Sequence, residues 1–390
     1  MVNDKEKIRL LYFHPTIVFG GAERTSATLL DKIDKSVFDV IFVTKKGIFH
    51  SLPVSKVIYI DDLGISDGFC SFRKLIKDTK VMLKLIEEEN PSVVFGMLHY
   101  ACIVLSLLKV FSRKKAKIVI SPRTPSKDAI NFYFKNRAIE KMRWRFMVRF
   151  FCRHSDSIIV TSKGLQNECV HKYKAKKNKV FIINNCVDWK LVDKLSMEHL
   201  HSEGSGNRLV ISTACRLDVE KNLPVLIKAF ALLRREISAK LWIIGDGPER
   251  PRLESLSAGL NMKDDVVFWG FKENPYKYIK RSDVFVHTSL FEGFGNTIIE
   301  AMACGIPVVA TDCPFGPSEI INNMENGILV PVSDEFALMQ ALKTVLEGKK
   351  MGNNFIEKAY KRVSDFSAET MVAKYEEVFL KVLNRPYHQS

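Results

Sequence analysis

Short apolar runs alternate with longer segments of helical periodicity from one end of the chain to the other. The runs at 9–14, 38–44, 56–60, 92–97, 117–121, 157–161 and 180–183 are rich in β-branched residues and four to eight residues long. They are apolar on both faces, the pattern of strands buried inside a parallel sheet. Between them, 22–33, 75–89 and 136–151 carry apolar residues at helical spacing. A polar, Gly/Ser-rich stretch, HLHSEGSGNR at 199–208, has no periodicity and reads as a linker. The alternation then resumes, with strands expected at 209–213, 240–244, 266–269, 284–288, 307–310 and 327–330.

Repeated βα units of this kind predict an α/β protein with a doubly wound, Rossmann-like parallel sheet in each half, the two facing across a cleft. The expected domains are 1–200 and 205–367. A last helix over 368–384 follows the second sheet. Its apolar Met371, Val372, Tyr375, Val378, Phe379 and Val382 recur at helical spacing, so residues 368–390 are expected to pack back on the first domain. The stretch 93–108 is too short for a comfortable membrane span of about 20 residues and contains His99; a buried strand followed by a packed helix explains it better.

Charge divides the chain unevenly. The whole carries +15, but residues 1–200 hold 36 basic and 20 acidic groups, against 23 and 24 in residues 201–390. Within 101–180 the count is 20 to 4, which concentrates any attraction for a polyanion or an anionic membrane in one half. The segment NFYFKNRAIEKMRWRFMVRFFCR (131–153) threads Phe132, Tyr133, Phe134, Trp144 and Phe146 among the cations. Met142, Phe146, Arg149 and Phe150 recur at three- and four-residue steps. One reading is a helix with that stripe against the core and a cationic outer face; the other is an interfacial helix on an anionic membrane. The eight cysteines form no CxxC or zinc-type spacing and are expected to be reduced thiols of a cytosolic protein. The charged start, MVNDKEK, shows no signal-peptide apolar region.

Candidate chemistry concentrates after the strand at 284–288. The segment Glu292-Gly-Phe-Gly-Asn-Thr-Ile-Ile-Glu300 is a glycine-rich turn opening a helix near Asn296, whose free N–H groups and positive dipole end suit a phosphate. Glu300, a turn further on, can accept two hydrogen bonds from a vicinal diol such as a ribose. Arg216 and Lys221 follow the first strand of the second half, on the same predicted sheet edge. A guanidinium fork beside an ammonium is what a diphosphate requires. Gly20-Gly21 opens the first helix of the amino-terminal half. Neither it nor Gly245-Asp246-Gly247 is a dinucleotide fingerprint, so a nicotinamide or flavin cofactor is not expected. A glycoside hydrolase or phosphorylase built on the Glu292/Glu300 pair and a basic nucleic-acid-binding protein remain alternatives at this point.

The segments ACRLDVEKN, LWIIGDGPE, VVFWGFKENP, EGFGNTIIEAMACGIPVVATD and NGILVPV, in that order, resemble the carboxyl-terminal domain of family 4 glycosyltransferases, enzymes of the GT-B fold. FGGAERTSATLL, SIIVTS and FIINNCVD extend the likeness over nearly the whole chain. The resemblance implies a retaining transfer from a nucleotide-sugar, used as co-substrate with no further cofactor and no metal; no Asp-x-Asp clamp occurs in the sequence. It implies that Glu300 binds the ribose and that Arg216 and Lys221 hold the diphosphate. Phe294, Gly295, Asn296 and Thr297 would offer backbone amides, Glu292 would hold sugar hydroxyls, and Phe271 would meet the base through its backbone. Gly21 and His99 would face the donor from the first domain. The loop Cys313-Pro-Phe-Gly-Pro is similar to bacterial enzymes that build surface or lipid-linked glycans, which favours a UDP-linked hexose or N-acetylhexosamine. The acceptor is then a glycan or a lipid-linked sugar, and the enzyme is expected on the inner face of the membrane as a peripheral protein.

Overall fold

A computed structural model describes residues 7–15, 20–47, 52–68, 71–111, 116–123, 127–200 and 208–386. The chain divides into two compact units, residues 1–185 with 368–390 and residues 186–367. In the first, β1 (Ile8–His14), β2 (Phe38–Thr44), β3 (Lys56–Tyr59), β4 (Val93–Met97), β5 (Lys117–Ser121), β6 (Ser157–Val160) and β7 (Val180–Ile182) form one sheet. Its order is β3-β2-β1-β4-β5-β6-β7. In the second, β8 (Leu209–Ala214), β9 (Ala239–Ile244), β10 (Val266–Gly270), β11 (Val284–His287), β12 (Val308–Thr311) and β13 (Ile328–Val330) form a sheet ordered β10-β9-β8-β11-β12-β13. Every pairing is parallel. Both sheets reverse their winding direction next to the first strand, between β1 and β4 and between β8 and β11. At such switch points loops leave the carboxyl edge in opposite directions and open a crevice for ligands.

The strand spans match the apolar runs to within one or two residues, because β-branched side chains buried on both faces leave few other solutions. Val93–Met97 is a strand and Leu98–Phe111 a helix. Among the described residues no helix is long and apolar enough to cross a membrane. Residues 201–207 of the polar stretch at 199–208 lie outside the described residues.

Two expectations change. The boundary between the units falls after Asn185, about fifteen residues before the expected one. The cause is the helix Trp189–Ser196, whose flanks and inner face put Val187, Val192 and Leu200 into one apolar cluster with Tyr276, Ile279, Ile299 and Met302 of the second unit. The second correction concerns the helix Ala138–His154. Its buried residues are Val148, Phe151 and Cys152, while Met142 and Phe146 are 66% and 69% exposed. The Met142–Phe146 stripe therefore faces outward, and a different face of the helix meets the core.

The helix Ala368–Val382 belongs to the first unit, although it follows the second in sequence. Phe379 is fully buried there, with its ring 5.4 Å from Phe95 and 6.1 Å from Phe38. Tyr375 packs beside it, 5.6 Å from Phe95. Phe379→Ala is expected to destabilise the first unit by about 3–5 kcal/mol, the cost of a large cavity in a close-packed core. Phe336→Ala, at an exposed position, should stay within about 0.5 kcal/mol of wild type. Urea denaturation compares the two; equal effects would show that the carboxyl-terminal helix is not part of that core.

Candidate functional site

The second unit gathers its polar side chains at the switch point between β8 and β11. After β8 the chain runs through Cys215 and Arg216 to a short 3-10 turn, Val219–Lys221. Asn222, in left-handed conformation, and Pro224 then start the helix Leu223–Leu233. The Gly245-Asp246-Gly247 turn after β9 supports this loop from behind: Asp246 O accepts from Leu217 N at 2.9 Å, and Leu217 O accepts from Glu249 N at 2.9 Å. A Cβ on Gly245 would lie 1.9 Å from Cys215 O, at φ +135°, so no other residue fits. That turn is thus a backbone buttress for Arg216. The guanidinium of Arg216 is held by Asp218 and stays half-exposed.

After β11 the chain passes Thr288 and Ser289 to Glu292 and the glycine turn, and the helix Asn296–Ala303 begins. Three loops are laced together here. Thr288 Oγ1 donates to Lys221 O at 2.7 Å, Leu290 N donates to Glu220 O at 2.8 Å, and Thr311 Oγ1, at the end of β12, donates to Ser289 O at 2.8 Å. The loop 313–317 closes over the turn: Glu292 N donates to Pro314 O, and Gly316 (φ +88°) lies so close that a Cβ would fall 2.1 Å from Phe294 O.

Glu292 is the centre of this arrangement. Its Oε1 accepts from Lys221 Nζ at 2.6 Å, from Ser289 Oγ at 2.8 Å and from His287 Nε2 at 3.1 Å. Its Oε2 takes no hydrogen bond from the described residues. One oxygen therefore anchors the carboxylate and the other is left to a ligand. Burial disfavours charge on both partners, but the nearby opposite charge and the hydrogen bonds outweigh it. Glu292 is held well below the ordinary carboxylate range, and Lys221 above the ordinary ammonium range. Donation from His287 Nε2–H fixes that imidazole's tautomer when it is neutral.

The helix Asn296–Ala303 starts after Gly295, in left-handed conformation, with no side-chain cap. Its first N–H groups and dipole make an anion-binding terminus. Glu300 is buried one turn inside. Burial first, and the Glu300 charge second, push the neighbouring Cys304 thiol up to about 12. Phe294 turns its ring inward, 5.3 Å from Phe366, and leaves only backbone to the loop. Phe271 stands exposed just beyond β10, on the same carboxyl edge but two strands from β8.

The structure thus brings Arg216, Lys221, Glu292, Phe294 and Gly295 on loops, and Asn296, Thr297 and Glu300 in the first turns of a helix, to one switch point, with Phe271 further along that edge. Gly21 and His99 belong to the first unit. Gly21 is the first residue of the helix Gly21–Lys32 after β1, and His99 lies in the helix after β4 with its ring 5.5 Å from Trp144, edge to face. His287 and Ser289 were not expected; a histidine ending an apolar strand five residues before Glu292 was the available signal. The first unit also holds an unexpected buried polar cluster at its own switch point. His14 Nδ1 meets Ser26 Oγ at 2.8 Å, and Arg123 Nη1 donates to Asn185 Oδ1 at 2.9 Å.

Two successive doubly wound parallel sheets, the second with an uncapped helix N-terminus, two cations, the part-buried Glu292 and the buried Glu300 at its switch point, are the GT-B architecture of glycosyltransferases. The family description "Glycosyltransferase Family 4" matches residues 19–190, and "Glycosyl transferases group 1" matches residues 198–362. An uncharacterized glycosyltransferase of Methanocaldococcus jannaschii is 30% identical over 73% of this chain and 72% of its own length. The N-acetylgalactosamine-N,N'-diacetylbacillosaminyl-diphospho-undecaprenol 4-alpha-N-acetylgalactosaminyltransferase of Campylobacter jejuni is 29% identical over 89% of this chain and 92% of its own length. Among solved structures, Anabaena HepE in complex with UDP and glucose aligns with a TM-score of 0.78 at 20% identity, over 96% of this chain and all of that one. The chain belongs to family 4 of the glycosyltransferases.

The Lys221–Glu292 pair makes a pH-dependent contribution to folding. Glu292 has a depressed pKa in the folded state, so its stabilisation is complete above the unfolded value near ~4.3 and is lost as the pH falls toward the folded value. Glu292→Gln should cost about 3 kcal/mol at neutral pH, as for breaking one side of a buried pair. The gap to wild type should narrow below about pH 4. Thermal melts from neutral to acid pH test this; a constant gap would show that the pair is not ionised in the fold.

Proposed function

We propose that this enzyme transfers a hexose or N-acetylhexosamine from a UDP-sugar, with retention at the anomeric carbon, to a glycan or lipid-linked acceptor. The observation that carries the reading is Glu292, pinned through one oxygen by Lys221, His287 and Ser289 while the other oxygen stays available to a sugar hydroxyl. The relative from Campylobacter jejuni, whose name specifies a diphospho-undecaprenol acceptor, and the structural neighbour solved with UDP and glucose support the choice of partners.

As the bond to the sugar breaks, negative charge grows on the β-phosphate while the sugar becomes oxocarbenium-like. Arg216, Lys221 and the helix terminus at Asn296 and Thr297 stabilise that charge. Glu300 holds the ribose, and Phe271 meets the base through its backbone. Gly21 and His99, at the carboxyl ends of β1 and β4, keep the donor-facing roles that the family resemblance implies. A glutamate locked into an ion pair with a depressed pKa is a weak nucleophile and a poor general acid. Front-face attack guided by the leaving phosphate therefore fits better than double displacement, and transfer fits better than hydrolysis by a Glu292/Glu300 pair. A site on the inner face of the membrane, with the protein attached peripherally, follows from a lipid-linked acceptor.

Glu300→Ala is expected to weaken UDP binding by about 1.5–3 kcal/mol, the range for a hydrogen bond to a charged group. Titration calorimetry with UDP, GDP and ADP measures this and the nucleotide preference; an unchanged UDP affinity removes Glu300 from the site. Arg216→Ala should reduce kcat more than donor affinity, because its cation faces charge that grows in the transition state. A raised KM with kcat intact would make it a ground-state binding residue instead.

A further inference from the structure

We infer that His287 is a positioning residue of the transfer reaction: it acts through Glu292, fixing the carboxylate so that Oε1 is filled and Oε2 is presented to the donor's sugar. The inference rests on the donor reading above and deepens it, by naming the side chain that sets the direction of the free oxygen. A carboxylate oxygen offers about two lone-pair sites. Glu292 Oε1 receives three donors, Lys221 Nζ at 2.6 Å, Ser289 Oγ at 2.8 Å and His287 Nε2 at 3.1 Å. It has room for no other. Oε2 has no partner among the described residues and is not sealed from solvent.

The three donors differ in stiffness. Lys221 carries its ammonium on a flexible four-carbon stem, and the Ser289 hydroxyl turns about its C–O bond. The imidazole is planar, and the backbone sets its place. His287 ends β11, pairs in register with Ala310 of β12 and is 5% exposed. The two residues after it are tied to different neighbours: Thr288 Oγ1 donates to Lys221 O at 2.7 Å, and Ser289 O accepts from Thr311 Oγ1 at 2.8 Å. The ring therefore cannot follow the carboxylate when it turns.

The tautomer follows from the same contacts. His287 Nδ1 is buried and has no hydrogen-bond partner. With its hydrogen on Nε2, the ring donates to Glu292 and leaves only a lone pair unmatched. With the hydrogen on Nδ1, a buried N–H would be unpaired and a lone pair would face the carboxylate, a cost in both places. Glu292 thus sets the tautomer, and the ring in turn holds Glu292. Without the imidazole the carboxylate can rotate about its Cγ–Cδ bond, and Lys221 can bridge both oxygens. A sugar hydroxyl then competes with an ammonium for Oε2.

The test is titration calorimetry of the full chain with UDP, UDP-glucose and UDP-N-acetylglucosamine, on wild type and on His287→Leu, His287→Gln and His287→Asn. Gln puts an N–H where Nε2 stood, whereas Asn reaches only as far as Nδ1. His287→Leu should weaken whichever sugar nucleotide binds wild type more tightly by about tenfold beyond any change in UDP, the worth of a hydrogen bond to a charged group. His287→Gln should recover most of that loss, and His287→Asn should not. Circular dichroism checks folding, and if His287→Leu does not fold, the contrast between Gln and Asn decides. Equal changes for UDP and the sugar nucleotide, no change in either, or Gln and Asn behaving alike overturns the proposal. Nitrogen NMR of histidine-labelled protein at mildly alkaline pH, where an imidazole is neutral, should show the Nε2–H form in the signal that His287→Gln removes. The Nδ1–H form there overturns it too. If wild type binds neither sugar nucleotide, the donor reading fails and this role with it; if it binds one and the variants do not discriminate, only this role fails.

Discussion

The ion pair between Lys221 and Glu292 is the constraint on which the second unit's site depends. The two residues come from loops leaving neighbouring strands, β8 and β11, and meet at 2.6 Å. A half-made pair there would strand a buried charge at a cost of several kcal/mol, so both loops must adopt one conformation. Thr288, Leu290 and Thr311 then fix the backbone of the same loops, and His287 and Ser289 complete the coordination of the carboxylate. What results is a preorganised patch of donors and acceptors with one carboxylate oxygen left over. Preorganisation of this kind lets fixed charges act on a developing transition state without rearranging first.

Much of the framework was readable in the sequence because a parallel sheet buried on both faces has a narrow signature. Strand positions, the two doubly wound sheets, and the placement of Arg216, Lys221, Glu292 and Glu300 on loops at one carboxyl edge follow from apolar runs and the residues after them. Details that depend on packing were not readable. The helix Trp189–Ser196 looked like the end of the first half, yet Val187, Val192 and Leu200 find apolar partners in the second. The stripe at Met142 and Phe146 satisfied helical periodicity and still faces water, because Val148, Phe151 and Cys152 fill the interior from another face.

The site shows the same division. Ionised residue types flagged themselves, whereas His287 and Ser289 stand singly at a strand exit and resemble ordinary turn residues until the carboxylate between them is seen. Gly245 and Gly247, which form no dinucleotide fingerprint, serve as the backing of the Arg216 loop, where only a missing side chain permits the approach. Gly316 does the same for the turn at Phe294. Close backbone contacts of this sort hold reactive side chains in place, and sequence alone does not say which loop each glycine meets.

The central claim is that the free oxygen of Glu292 engages the donor's sugar while the nucleotide is held elsewhere. Titration calorimetry of Glu292→Gln with UDP and with the preferred UDP-sugar tests it most directly. The account predicts that the UDP-sugar loses about tenfold or more in affinity beyond whatever change UDP itself shows when Lys221 loses its partner, the value of a hydrogen bond to a charged group. Equal changes for UDP and UDP-sugar, or none for either, would contradict it.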